Sequence, residues 1–266
     1  MSKLITYALF EGKAEPHELA AYVRGFYLNA RMNNFLYPDF RTHLEVDQAT
    51  YDDYKNLFDW LVENNTLSLN IDPETPPLCE GMLRRMKPIF TIDVSHIICR
   101  DCDAITTHRE AQTVQSWLEG GFGFHAINDD PAHGGLMGGM VGFDSAKFKA
   151  VTGLHSFEQM IEGRDLSQHG SDQHLLNALH PKLHPHLHVH ILKGGSCNGA
   201  RVDQDVSVIL PNVDHALWES DLTCRHIGSA GVVIDETLRF FRRHDEYNWK
   251  FQLIEKEFKH LFYWQT

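Results

Sequence analysis

The chain predicts an α/β fold: one domain on a mostly parallel central sheet, with a loop-rich C-terminal part. Three observations predict it. Residues 1–120 alternate short apolar runs with amphipathic stretches of helical period. The 266 residues, 42% of them apolar, suffice for one large domain with a sizeable core. No linker good enough to separate two independent domains is visible, and neither is an internal repeat.

The elements follow in order. Ile5–Phe10 reads as a first strand, ended by Glu11-Gly12. Pro16–Asn34 reads as a helix with Leu19, Tyr22, Val23 and Phe26 on one face. After Pro38, Phe40–Val46 reads as a second strand, and Tyr51–Asn64 as a helix with Tyr54, Leu57, Phe58 and Leu61 inward. Leu67–Ile71 is a short strand stopped by Pro73, Pro76 and Pro77. Glu80–Met86 reads as helical, Val94–Arg100 as a strand, and Arg109–Leu118 as a helix ended by Gly120-Gly121. Gly134–Gly142 reads as a glycine-rich loop and Ser171–Leu179 as a short helix. Leu238–Lys250 is aromatic and basic, and Phe251–Phe262 reads as a C-terminal helix.

Composition excludes some classes. A net charge of −12 disfavours nonspecific binding to nucleic acid or anionic membrane. No apolar run approaches a membrane span, and the opening MSKLITYALFEG lacks the layout of a signal peptide, so a cytoplasmic protein is expected (host cytoplasm if viral). Five cysteines, at 79, 99, 102, 197 and 224, argue against a disulfide framework. Cys99 and Cys102 read as core or strand-end thiols. His184, His186, His188 and His190 would share one face of a strand and could bind zinc or nickel; otherwise they form a polar loop leading into a strand.

The sharpest local signal is Asp101-Cys102-Asp103 directly after the strand Val94–Arg100. Positions two apart on extended chain point to the same side. Two carboxylates there make a hard-oxygen pair suited to Mg²⁺ or Mn²⁺, with open positions for diphosphate oxygens. Open α/β sheets bind ligands at the carboxyl ends of their strands.

Several later segments extend this pattern: Arg109-Glu110, Trp117-Leu118, Gly138-Gly139-Met140, Asp172-Gln173 and His226-Ile227-Gly228. Their order, with Tyr7 and Met82–Met86 before them, resembles the nucleotide-sugar glycosyltransferases of the GT-A (Rossmann-like) type. Met82 to Gly142 looks closest to a bacterial and viral group with an Arg-Asp-x-Asp segment. Asp172-Gln173 and His226-x-x-Gly228 are similar to segments of glycogenin-like retaining transferases. The Lys-Pro-Trp that follows in those proteins is replaced here by Ser229-Ala230-Gly231.

The resemblance implies a single transferase domain over 1–266, with a nucleotide-binding half at 1–125 and an acceptor half with the C-terminal helix at 126–266. It implies transfer of a sugar, with retention favoured, from a nucleoside diphosphate sugar (a UDP-sugar favoured) to an acceptor hydroxyl. Asp101, Asp103 and His226 would hold Mn²⁺ or Mg²⁺ against the diphosphate. Tyr7 would lie beside the nucleobase. Arg85 and Arg100 would pair with phosphate or sugar; adjacent Arg84 is not separable from Arg85. Gly138, Gly139 and Gly228 would let backbone approach the donor. Asp172, Gln173 and Asp130 would lie near the anomeric carbon and acceptor. Ser171 or Asp172 could also cap the helix that follows. An Arg of the related group is replaced by Asn128. The acceptor is either a surface glycan or its lipid-linked precursor, or a hydroxymethylated base in phage DNA. For the DNA option, Arg239–His244 with Tyr247 and Trp249 interleaves bases and aromatics. Two other classes stay open: a zinc hydrolase built on the histidine run, and a noncatalytic sugar-nucleotide-binding protein.

Overall fold

The structure is a computed structural model that describes residues 2–12, 16–64, 66–128, 135–167, 170–191 and 248–262. Three parallel strands come first: β1 (Ser2–Leu9), β2 (Arg41–Asp47) and β3 (Ser68–Asp72). Helices α1 (Pro16–Leu36), α2 (Gln48–Asp53) and α3 (Lys55–Glu63) connect them. Then come α4 (Leu78–Leu83), a 3₁₀ turn at Arg84–Met86, α5 (Pro88–Thr91), β4 (Val94–Arg100) and α6 (His108–Gly120). The rest comprises β5 (Phe124–Asn128), β6 (Met140–Asp144), α7 (Ser145–Thr152), α8 (Phe157–Ile161), α9 (Ser171–Leu183), a 3₁₀ turn at His184–His186, and β7 (Leu187–Ile191). Helices α10 (Asn248–Glu257) and α11 (Lys259–Phe262) follow near the C-terminus.

The seven strands form one sheet in the order β3-β2-β1-β4-β6-β5-β7. Among the described residues only β6 runs against its neighbours, so the sheet is mixed but mostly parallel. Strand alternation divides the core between two faces. Ile5, Tyr7, Leu9 and Ile98 face a layer that includes α1, α3 and α6. Leu4, Ile97, Cys99 and Phe143 face a layer built from α4, α5, α7, α8 and α9. The expected inward residues of α3 are buried, and so is Tyr54 just before it.

Local chemistry sets the element ends. Thr107 accepts a hydrogen bond from Glu110 N (3.2 Å), and Gly121 closes the helix in the left-handed region at φ 68°. Asp144 caps α7 by accepting from Lys147 N at 2.9 Å. Helix α1 is buried nearly all round from Phe26 to Asn33 because it has two covers. The sheet takes one side. Ile254, Phe258 and Leu261 of the C-terminal helices join the same core, and Glu255 pairs with Arg31 at 2.8 Å.

Two sequence expectations are corrected here. The glycine-rich stretch is not all loop, because Met140–Asp144 is a central strand. The four-histidine strand face does not form. Pro185, with fixed φ and no N–H, sits in the 3₁₀ turn, so only His188 and His190 lie on β7. Among the described residues no helix is long and apolar enough to cross a membrane.

Candidate functional site

The site is assembled by strand register. β4 pairs antiparallel with β6, and Arg100 lies opposite Met140. One step further along both chains brings Asp101 opposite Gly139. Contact there is close: a Cβ at 139 would overlap the Asp101 carboxylate. A Cβ at 138 would sit 2.6 Å from Arg85 Nη2 and 2.8 Å from Asp172 Oδ2. The paired glycines are thus a floor that the side chains of three distant segments press against.

Arg85 is the hub. Its Nη1 donates to Asp101 Oδ1 and, at 3.4 Å, to the Arg100 carbonyl. Its Nη2 lies 3.5 Å from Asp172 Oδ2. Burial opposes the charge on this guanidinium, but the fields of Asp101, Cys99 and Asp172 overcome it and hold its pKa above the ordinary arginine value. Arg84 separates from it by the twist of the 3₁₀ turn. It turns outward to Asp72 (2.9 Å) and Glu80 (3.2 Å). Arg85 and Asp172 have side chains only 6% exposed, whereas Asp101 is 36% exposed. The open member of the cluster is therefore the carboxylate at the strand end.

Asp101–Asp103 is a turn after β4 rather than a continuation of the strand. The alternation survives nonetheless. Asp101 and Asp103 are half-buried while Cys102 between them is buried, with its Sγ donating to the Ala8 carbonyl at 3.6 Å. Two hard carboxylates at an accessible turn fit Mn²⁺ or Mg²⁺ by donor type. Among the described residues no group of three His, Cys, Asp or Glu is gathered to hold a metal. His226, the expected third ligand, lies outside the described residues, as do Gly228 and Asp130.

Asp172 stands in the first turn of α9, and Gln173 follows it half-buried. Neither Ser171 nor Asp172 is the cap, since Gly170 occupies that position at φ 86°. Asn177, one turn on, accepts from Leu136 N at 3.0 Å, and Asn128 Nδ2 donates to the Gly135 carbonyl at 3.1 Å. These two amides tie the glycine segment to α9 and β5.

Two residues expected to contact the donor, Tyr7 and Arg100, are buried. Tyr7 is fully buried, and its hydroxyl accepts from Asn33 Nδ2 at 3.1 Å. Its place on β1 points it at α1, and burial raises its pKa. Arg100 is also buried. Its Nε donates to Glu110 Oε1 at 2.6 Å, and its Nη1 donates to the carbonyls of Cys99 (2.8 Å) and Val141 (3.3 Å). Alternation along β4 turns it toward α6, the side opposite Cys99. Cys79, Cys99 and Cys102 are buried. Residues missed in the sequence are Gly25 and Asn29 of α1, which touch the Asp101–Asp103 turn from behind. The available signal was a Gly, Asn, Asn series at positions 25, 29 and 33, poor helix formers four apart inside a helix.

No family model and no curated protein matches this chain. Among solved structures it is similar to the apo form of glycosyltransferase GlyE of Streptococcus pneumoniae. Identity is 14% and the TM-score 0.46, over 69% of this chain and 44% of that one. It thus spans less than half the length of that protein. It is similar to a protein of Desulfovibrio desulfuricans described as a nucleotide-diphospho-sugar transferase, at 11% identity and TM-score 0.44, over 68% of this chain and 77% of that one. A third similarity is to a mannosyltransferase of Pyrobaculum calidifontis solved with GDP-Man and Mn²⁺. Identity is 10% and the TM-score 0.45, over 98% of this chain and 69% of that one. These are distant likenesses of fold.

Proposed function

We propose that this chain transfers a sugar from a nucleoside diphosphate sugar, a UDP-sugar first among them, to an acceptor hydroxyl with the help of Mn²⁺ or Mg²⁺. The observation that carries the reading is the convergence of Asp101, Arg85, Asp172 and Gly138-Gly139 at the carboxyl end of β4. That edge is where open α/β sheets take ligands. Asp101 and Asp103 would hold the cation, with His226 as the third protein ligand. When bound, the cation neutralises charge developing on the leaving diphosphate.

The chain's own residues divide the remaining work. Arg85 fixes the Asp101 carboxylate at the turn and lies 3.5 Å from Asp172 Oδ2 beside it. Gly138 and Gly139 leave backbone bare for the donor sugar. Asp172 is engaged by Arg85 and would act as an electrostatic partner for positive charge at the anomeric carbon. This favours retention, with the leaving phosphate taking the acceptor's proton. Gln173 and Asp130 are assigned to the acceptor side. Acceptors are a glycan or, as a second reading, a hydroxymethylated DNA base read by the basic and aromatic segment at 239–249. That segment lies outside the described residues. Duplex binding that is salt-sensitive would favour the second reading.

The test is a thermal-shift titration of UDP, GDP, CDP and UDP-sugars with and without Mn²⁺, on wild type and Asp103→Ala. A metal-dependent rise for one nucleotide, absent in the variant, is expected. No shift for any nucleotide would overturn the donor site. Binding without turnover on any acceptor would leave a noncatalytic sugar-nucleotide-binding protein.

A further inference from the structure

The turn that carries Asp101 and Asp103 lies just past β4, and one side chain of α1 bonds its backbone at several points. Asn29 is completely buried on α1. Its Nδ2 donates to the Cys102 carbonyl at 3.2 Å and to the Ala104 carbonyl at 2.8 Å, the carbonyls of the residues on either side of Asp103. Its Oδ1 accepts from Thr106 N at 2.8 Å and from Thr106 Oγ1 at 3.2 Å. Carbonyls can only accept and a peptide N–H can only donate, so chemistry fixes the orientation of this amide.

One helical turn earlier, Gly25 admits the turn against the helix. A Cβ there would overlap the Cys102 carbonyl and lie 3.3 Å from Asp103 Cα. One turn later, Asn33 Oδ1 accepts from Thr106 Oγ1 at 3.1 Å, and Asn33 Nδ2 donates to Tyr7 and Thr42. Spacing of four puts 25, 29 and 33 on one stripe of the helix. An amide that satisfies four partners in a dry setting is costly to replace and admits one arrangement of the loop.

We infer that Asn29 is the positioning residue for the Asp101–Asp103 turn: it sets the spacing and direction of the two carboxylates without touching the ligand. This rests on the proposed donor site. Groups that orient metal ligands from behind typically change affinity about 10- to 100-fold when replaced. Asn29→Asp keeps the shape and removes both donors, setting a carboxylate against two carbonyls.

The experiment measures Mn²⁺ affinity, alone and with UDP added, from the electron paramagnetic resonance signal of the free ion. It compares wild type, Asp103→Asn, Asn29→Asp, Thr106→Val and, as a matched destabilised control, Leu61→Ala. Asn29→Asp is expected to weaken Mn²⁺ about 10- to 100-fold, Thr106→Val by a few-fold, and Leu61→Ala not at all. If Asn29→Asp does not fold, Thr106→Val decides. Wild-type affinity in the folded Asn29→Asp, with binding lost in Asp103→Asn, overturns the positioning role and leaves the donor site standing. Equal affinity in wild type and Asp103→Asn overturns the donor site itself, and this inference with it.

Discussion

At the residue scale, the cluster depends on what its glycines do not carry. A methyl at 139 meets a carboxylate pinned by Arg85, so Gly139→Ala must displace Asp101. Misplacement of a reacting group by about 1 Å can cost about 10²-fold in rate. On the proposed function, Gly139→Ala is therefore expected to fold, bind nucleotide weakly and lose about 100-fold in sugar transfer, read by steady-state kinetics. Arg85 gives a stability prediction instead. Its side chain and that of Asp172 are each 6% exposed, so Arg85→Ala takes the cation away from a buried carboxylate. Breaking such a pair costs about 3 kcal/mol or more. Urea denaturation should show that loss, and Arg85→Lys should recover only part of it, because an ammonium cannot reach both carboxylates as a fork does.

At the element scale, β6 explains both what the sequence disclosed and what it hid. The parallel half was legible because its buried strands read as apolar runs and its α3 as an amphipathic face. β6 was hidden by Gly142 within it and Gly139 just before it, and each has a packing reason. Gly139 clears Asp101, and Gly142 clears Trp117, whose ring would meet a Cβ at 2.9 Å. The order of Arg85, Asp101, Gly138-Gly139 and Asp172 was legible as a pattern, but the antiparallel register that joins them was not. β5 and β7 were hidden by histidines. His125 and His188 face each other in register, with Nδ1 atoms 3.1 Å apart and rings stacked at 5.3 Å under Trp117. Burial pushes the His125 pKa well down and that of His188 down to about 4. The unfolded chain then binds protons that the folded chain refuses. Stability should be intact above about pH 6.5 and fall as pH drops from there toward about 4. Urea midpoints across that range test this, and His188→Gln should flatten the slope.

At the scale of the whole molecule, the site lies where the two covering layers meet. α1 holds the Asp101–Asp103 turn from one face of the sheet, and α9 with the Arg84–Met86 turn brings Asp172 and Arg85 from the other. Anything that loosens α1 should therefore reach the site. The C-terminal helices cover α1, and one of their anchors is a buried polar contact. Glu255, 2% exposed, accepts from Arg31 Nη1 at 2.8 Å and from the Tyr27 hydroxyl at 2.9 Å. Phe258 packs on Tyr54 with ring centres 6.5 Å apart, and Arg24 donates to the Leu261 carbonyl at 3.3 Å. Glu255→Ala removes the close partner of a buried guanidinium, so it should destabilise by about 3 kcal/mol. Arg31→Met with Glu255→Met should restore most of it, since apolar isosteres can replace a buried pair. Hydrogen exchange locates the effect. In Glu255→Ala the amides of α1 should exchange faster, and so should Thr106 N, whose acceptor is Asn29 on that helix. Faster exchange in α10 and α11 alone, with Thr106 unchanged, would show that the cover and the site are energetically separate.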